Sequence, residues 1–144
     1  MPPMLMQHSE DPAEVILKKI GMKKLGELTH SNGKPFRIMA NQLLLAVYER
    51  PRVTKSGIHL ADSTVAEDAH QGKAALCLLK GRSAFISDSN YDFGSGPDAD
   101  NVEPGDWVAI FVSDGRRVIV NGVLCRIVED CHVRMKLPAP DVVW

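Results

Sequence analysis

Between residues 106 and 137 the chain reads DWVAIFVSDGRRVIVNGVLCRIVEDCHVRMKL, a succession of short apolar runs broken by turns. Trp107, Ala109 and Phe111 alternate with Val108 and Ile110, a period of two that suits a strand and not a helix. Ser113-Asp114-Gly115 reads as a turn and Val118 to Val120 as a short strand. Asn121-Gly122 is the strongest short hairpin signal, and it leads into a strand over Val123 to Val128. One more strand is expected over His132 to Leu137. Strands this short, with little room for helix between them, imply a mainly β fold: a small antiparallel barrel or sandwich.

Two further strands precede this region. In QLLLAVYERP, Leu43, Leu45 and Val47 fall on one face and Leu44, Ala46 and Tyr48 on the other, and the run ends before Pro51. Both faces being apolar again points to a barrel or sandwich. GKAALCLLKG is a second strand, closed by Lys80-Gly81. Between them lies the polar segment VTKSGIHLADSTVAEDAHQG, residues 53–72, with an apolar tag at Ile58-His59-Leu60. A second polar loop covers residues 86–105. Its Gly94-Ser95-Gly96 lacks the preceding strand and following helix that a phosphate-binding loop requires.

At the N-terminal side, Asp11 is placed to cap a helix, Pro12 suits its first position, Glu14 completes a capping-box pattern and Gly21 ends it. A helix over 11–20 results, with Val15, Ile16 and Ile20 on one face. Lys18, Lys19, Lys23 and Lys24 read as a solvated face and cations near a helix C-terminus, rather than a patch for an acidic partner. Residues 26–41 carry Ser31-Asn32-Gly33-Lys34-Pro35 and read as a linker or short hairpin. The expected organisation is an N-terminal extension (1–40), a β-barrel (41–137) and a C-terminal tail (138–144).

A chain of 144 residues is one domain's worth. Its formal charge of -1 argues against nucleic acid as a partner. Cys77, Cys125 and Cys131 form no CxxC pair or even-numbered framework and are expected to be reduced, buried small hydrophobes. Cys131-His132 lacks the spacing of a zinc ligand set, so no metal is expected. No apolar run approaches the ~20 residues of a membrane span, and MPPMLMQHSEDP has neither a basic start nor an apolar signal region. Neither export nor membrane attachment is expected.

The order of LLLAVYERPRVTKSGIHLADS, GKAALCLLKGRSAF and GDWVAIFVSDGRRVIVNGVLCRIVEDCHV resembles the GroES-type co-chaperonins. It most closely resembles the GroES-like proteins of tailed bacteriophages, in which a Gly-Asp-Trp strand start, an Asn-Gly hairpin and a terminal Pro-Asp-x-x-Trp recur. The resemblance covers about residues 41 to 135. It implies an irregular GroES-like antiparallel β-barrel that assembles as a homo-oligomeric ring and caps a chaperonin, with no chemistry or cofactor of its own.

In that family a loop after the first barrel strand docks on the chaperonin's apical domains through an apolar tripeptide following a glycine. Here the resemblance maps it to Gly57, Ile58, His59 and Leu60, with His59 where the family usually has an aliphatic residue. Each aliphatic anchor would contribute roughly 1.5–3 kcal/mol before ordering costs, so single contacts stay releasable while a ring restores avidity. The loop 86–105 maps to the family's roof hairpin, made acidic by Asp88, Asp92, Asp98 and Asp100. The expected setting is the bacterial cytoplasm.

The alternative is a virion structural protein that decorates or cements a capsid. It would use the same barrel, with the helix at 11–20 and the apolar tail Val142, Val143 and Trp144 as arms reaching the major capsid protein or neighbouring subunits. Catalysis is not expected. GroES-like barrels also open medium-chain alcohol dehydrogenases, but those add a dinucleotide-binding domain whose glycine fingerprint these residues lack. Ser113, Asp114 and His132 make no convincing triad, because Asp114 is better used in its turn.

Overall fold

A computed structural model describes residues 11–48, 74–111 and 113–140. Among these the elements run α1 (Pro12–Ile20), β1 (Gln42–Val47), β2 (Ala74–Lys80), β3 (Trp107–Ala109), β4 (Arg116–Val120), β5 (Val123–Glu129) and β6 (Met135–Leu137). The strands form one antiparallel sheet in the order β4-β5-β1-β2-β3-β6. Among the described residues β4 and β6 do not pair with each other, so the sheet is open.

The alternation in β1 distributes its side chains as expected. Leu44, Ala46 and Tyr48 pack on one face with Leu76, Leu78 and Trp107, whereas Leu43 and Leu45 pack on the other with Ala75, Cys77, Val108 and Val128. Tyr48 and Trp107 meet edge to face at 5.6 Å between ring centroids. A bulge between Leu44 and Leu45 shifts the partner from Leu79 to Cys77 and leaves Leu78 as the extra residue on β2.

What covers the two faces differs from a simple barrel interior. The first face is covered by the N-terminal segment, whose Ile16, Ile20, Met22 and Leu28 are buried in the same cluster as β1 and β2. The other face is covered by Ala84, Phe85, Val102 and Val133 from the loop after β2 and the turn after β5. Both faces of β1 are apolar because each has its own cover. The residues preceding β1 are therefore part of the core, and the core does not begin at residue 41.

α1 forms as its caps require. The Asp11 carboxylate accepts from the Ala13 N–H at 3.1 Å, Pro12 opens the helix, and Gly21 closes it at φ 82° with its N–H on Leu17 and Lys18 carbonyls. The segment behind it is a small hairpin: Thr29 bridges Pro35, and the Phe36 N–H donates to the Leu28 carbonyl. Asn121, at φ 49° in the β4–β5 turn, ties this segment down. Its amide donates to the carbonyls of Ile20 at 2.8 Å and Thr29 at 3.1 Å. Gly81 is required by close approach, since a Cβ there would overlap the carbonyl oxygens of Ala40 and Gln42.

One expected strand is shorter than the sequence suggests. His132 to Arg134 are not in β6, because Asp130–His132 form a 3-10 turn. The cause is Asp130, a buried carboxylate that accepts from the N–H of Cys131, the N–H of Phe85 and the Asn41 side-chain amide. Three donors converge on this one side chain where the backbone turns, and the chain rejoins β3 at Arg134, whose N–H donates to the Ala109 carbonyl at 2.9 Å.

Candidate functional site

The docking residues expected from sequence, Gly57, Ile58, His59 and Leu60, lie outside the described residues, as do Val142, Val143 and Trp144. Their points of attachment are well defined. β1 and β2 are antiparallel neighbours with Val47 opposite Ala75, and the Tyr48 N–H donates to the Ala74 carbonyl at 3.0 Å. Segment 49–73 therefore leaves and re-enters the sheet at one point. Residues 141–144 follow Pro140, three residues beyond the edge strand β6.

Both edge strands expose an apolar side chain beside cations: β4 presents Arg116, Arg117 and Ile119, the last 75% exposed, and β6 presents Met135, 59% exposed, and Lys136. Phe111 is 57% exposed, and the Arg134 guanidinium lies 4.3 Å from its ring centre. Arg134 also pairs with Asp114 at 3.3 Å. Burial pulls the Asp114 carboxyl upward, but the Phe111 N–H and the Arg134 guanidinium outweigh it and hold it below its ordinary value. The buried Arg126 donates to the Asp114 and Phe111 carbonyls. Asp114 thus organises a turn and an ion pair, as its place before Gly115 suggests.

The polar loop is held by its own acidic residues. Asp88 accepts from the N–H groups of Asn90 and Tyr91, which hold its carboxyl below the usual range, and Asp92 accepts from Gly94. Asp88, Asp92, Asp98 and Asp100 all remain exposed, so the acidic surface is present. Gly94 and Gly96 adopt positive φ and lead only into a three-residue 3-10 turn, Gly96–Asp98, so no helix N-terminus faces an anion there.

Beneath the loop is an open cleft of about 370 Å³ lined by Phe85, Tyr91, Phe93, Cys131, Met135 and Lys136 among others. Tyr91 stacks on Phe93, which meets Phe85 edge to face. A hydrogen bond to Cys131 and the negative charge around it raise the Tyr91 phenol above its ordinary value. Glu129, Cys131 and His132 lie together on the turn, with one potential donor atom from each within 4.8 Å of the others. The ligand spacing missing around Cys131-His132 in the sequence predicts no metal set; the turn after β5 brings Glu129 to the pair. Cys77 and Cys125 behave as expected of buried thiols, with burial pushing both up to about 12.

Local sequence marks none of Asp130, Arg134 and Glu129 as part of a site; the one local sign is the acidic pair Glu129-Asp130 that ends the β5 run. No protein-family model matches the chain, and no curated protein matches it.

Proposed function

We propose that this chain is a non-enzymatic co-chaperonin with an irregular GroES-like barrel, which assembles as a ring and caps a chaperonin through Ile58 and Leu60, with Gly57 as the pivot. The observation that carries this reading is the β1–β2 pairing, which gathers both ends of segment 49–73 at one point on a well-packed sheet. A docking segment needs such a base, so that its ordering cost is confined to the segment itself. The two open edges, with exposed Ile119 on one and Met135 on the other, support assembly by edge contact, and a head-to-tail contact of β4 on a neighbour's β6 gives a ring where its rotation closes.

The test is to mix the purified protein with a bacterial chaperonin and ATP and to follow complex formation by size exclusion and assisted refolding. A nucleotide-dependent complex is expected, lost in the double variant Ile58→Asp, Leu60→Asp. Absence of a complex, together with refolding unaffected by the double variant, overturns the reading.

The second reading, a virion structural protein, draws on the apolar tail Val142-Val143-Trp144 that follows edge strand β6. It loses one support, because the apolar face of α1 is spent on the chain's own sheet rather than kept for a neighbour. Mass spectrometry of purified particles separates the two, since a cement protein must be present in mature virions.

A further inference from the structure

We propose that Glu129, Cys131 and His132 form a binding site for a divalent transition-metal ion of the zinc class. The three are gathered by the turn after β5, and the Cys131 sulfur already lies 3.7 Å from a Glu129 carboxylate oxygen. Tetrahedral zinc with bonds of about 2.0–2.3 Å places its donors roughly 3.5 Å apart. Donors within 4.8 Å of one another therefore need to close by about 1 Å, and the exposed Glu129 side chain can supply much of that by rotation.

The backbone under the site is already fixed. Asp130 accepts the Cys131 N–H at 2.7 Å and the Asn41 amide at 3.2 Å, and its own N–H donates to the Asn41 carbonyl. Two ligands flanking such a clamp lose little freedom on binding. His132 adds an independent sign: its Nδ1 is buried with no hydrogen-bond partner among the described residues, and an unprotonated ring nitrogen so placed offers its lone pair to a metal ion. A thiolate and an imidazole select zinc, cobalt or copper over magnesium or calcium, whose sites are built from oxygen. Three protein donors leave one coordination position for water or an incoming ligand. Because thiol and imidazole must be deprotonated to bind, affinity rises with pH.

Full-length protein, kept reduced with a non-thiol reductant, is titrated with Co2+ and then with Zn2+. The expected result is one equivalent of bound Co2+ with a thiolate-to-cobalt charge-transfer band and the intense visible bands of tetrahedral cobalt, displaced by Zn2+. Cys131→Ser abolishes the charge-transfer band. His132→Gln and Glu129→Gln each weaken binding by at least about 10–100-fold, the cost of losing a group that merely hydrogen-bonds a metal ligand. Circular dichroism of the metal-free variants checks the fold, and if Cys131→Ser does not fold the other two decide. No charge-transfer band in the wild-type protein, a band that survives Cys131→Ser, or affinities unchanged in both His132→Gln and Glu129→Gln overturns the proposal.

Discussion

Replacing Asp130 tests the joint that connects three parts of the molecule. Its carboxylate holds the loop after β2 through the Phe85 N–H at 2.9 Å, the residue before β1 through the Asn41 amide at 3.2 Å, and its own turn through the Cys131 N–H at 2.7 Å. Asp130→Ala strands all three donors. A donor left dry costs about 1–3 kcal/mol, and because these bonds are only partly buried the low end applies, about 3 kcal/mol in all. For a chain of this size that lowers Tm by roughly 6–12 °C.

Asp130→Asn separates charge from shape. One amide oxygen still serves Asn41 and Cys131, but the amide nitrogen then faces the Phe85 N–H, so about 1–2 kcal/mol is lost. Thermal melts followed by circular dichroism, with urea titrations at fixed pH, give both numbers. If Asp130→Ala melts within about 2 °C of the wild type, water replaces the carboxylate and the joint does not hold the turn.

Asn121→Ala loses the bonds to Ile20 and Thr29 and leaves an alanine at positive φ, for about 2 kcal/mol; Asn121→Gly removes the strain and isolates the tether at about 1 kcal/mol, read as a lower urea midpoint with unchanged slope. Native-state alkylation at pH 8 should spare Cys77 and Cys125, whose thiols are pushed up to about 12, and label Cys131; peptide mass spectrometry reads this, and fast labelling of Cys77 contradicts the packing. The folded Asp114 lies below its ordinary value of 3.8, so its contribution is complete above that pH and is lost as pH falls through the folded value. Asp114→Asn should therefore flatten the acid limb of the stability curve below about pH 4, and an unchanged limb refutes the assignment.

The local signals in the chain were sufficient for its local elements. Asp11, Pro12 and Gly21 mark the ends of α1, and each makes the cap its chemistry suggests. Asn121-Gly122 makes the β4–β5 turn because both residues tolerate positive φ, at 49° and 80°. The alternation in β1 assigned its two faces correctly. Each of these depends on residues within a few positions of one another, so periodicity and turn chemistry suffice to read them.

Tertiary structure decided what those elements meet. β5 lies beside β1 in the sheet, and β6 beside β3, pairings between distant segments that no periodicity encodes. The N-terminal segment could be read as a separate extension because an amphipathic helix shows that it has a partner but not which one; folding put Ile16 and Ile20 on the sheet. Nothing near Asp130 in the sequence shows its part in the fold; Phe85 and Asn41, 45 and 89 residues away, bring it their donors. Glu129, Cys131 and His132 became a cluster only when that carboxylate turned the backbone out of the ladder. Hydrogen bonds between residues so far apart in sequence depend on the whole fold, and it is there that the end of β5 became a turn with three metal-competent side chains.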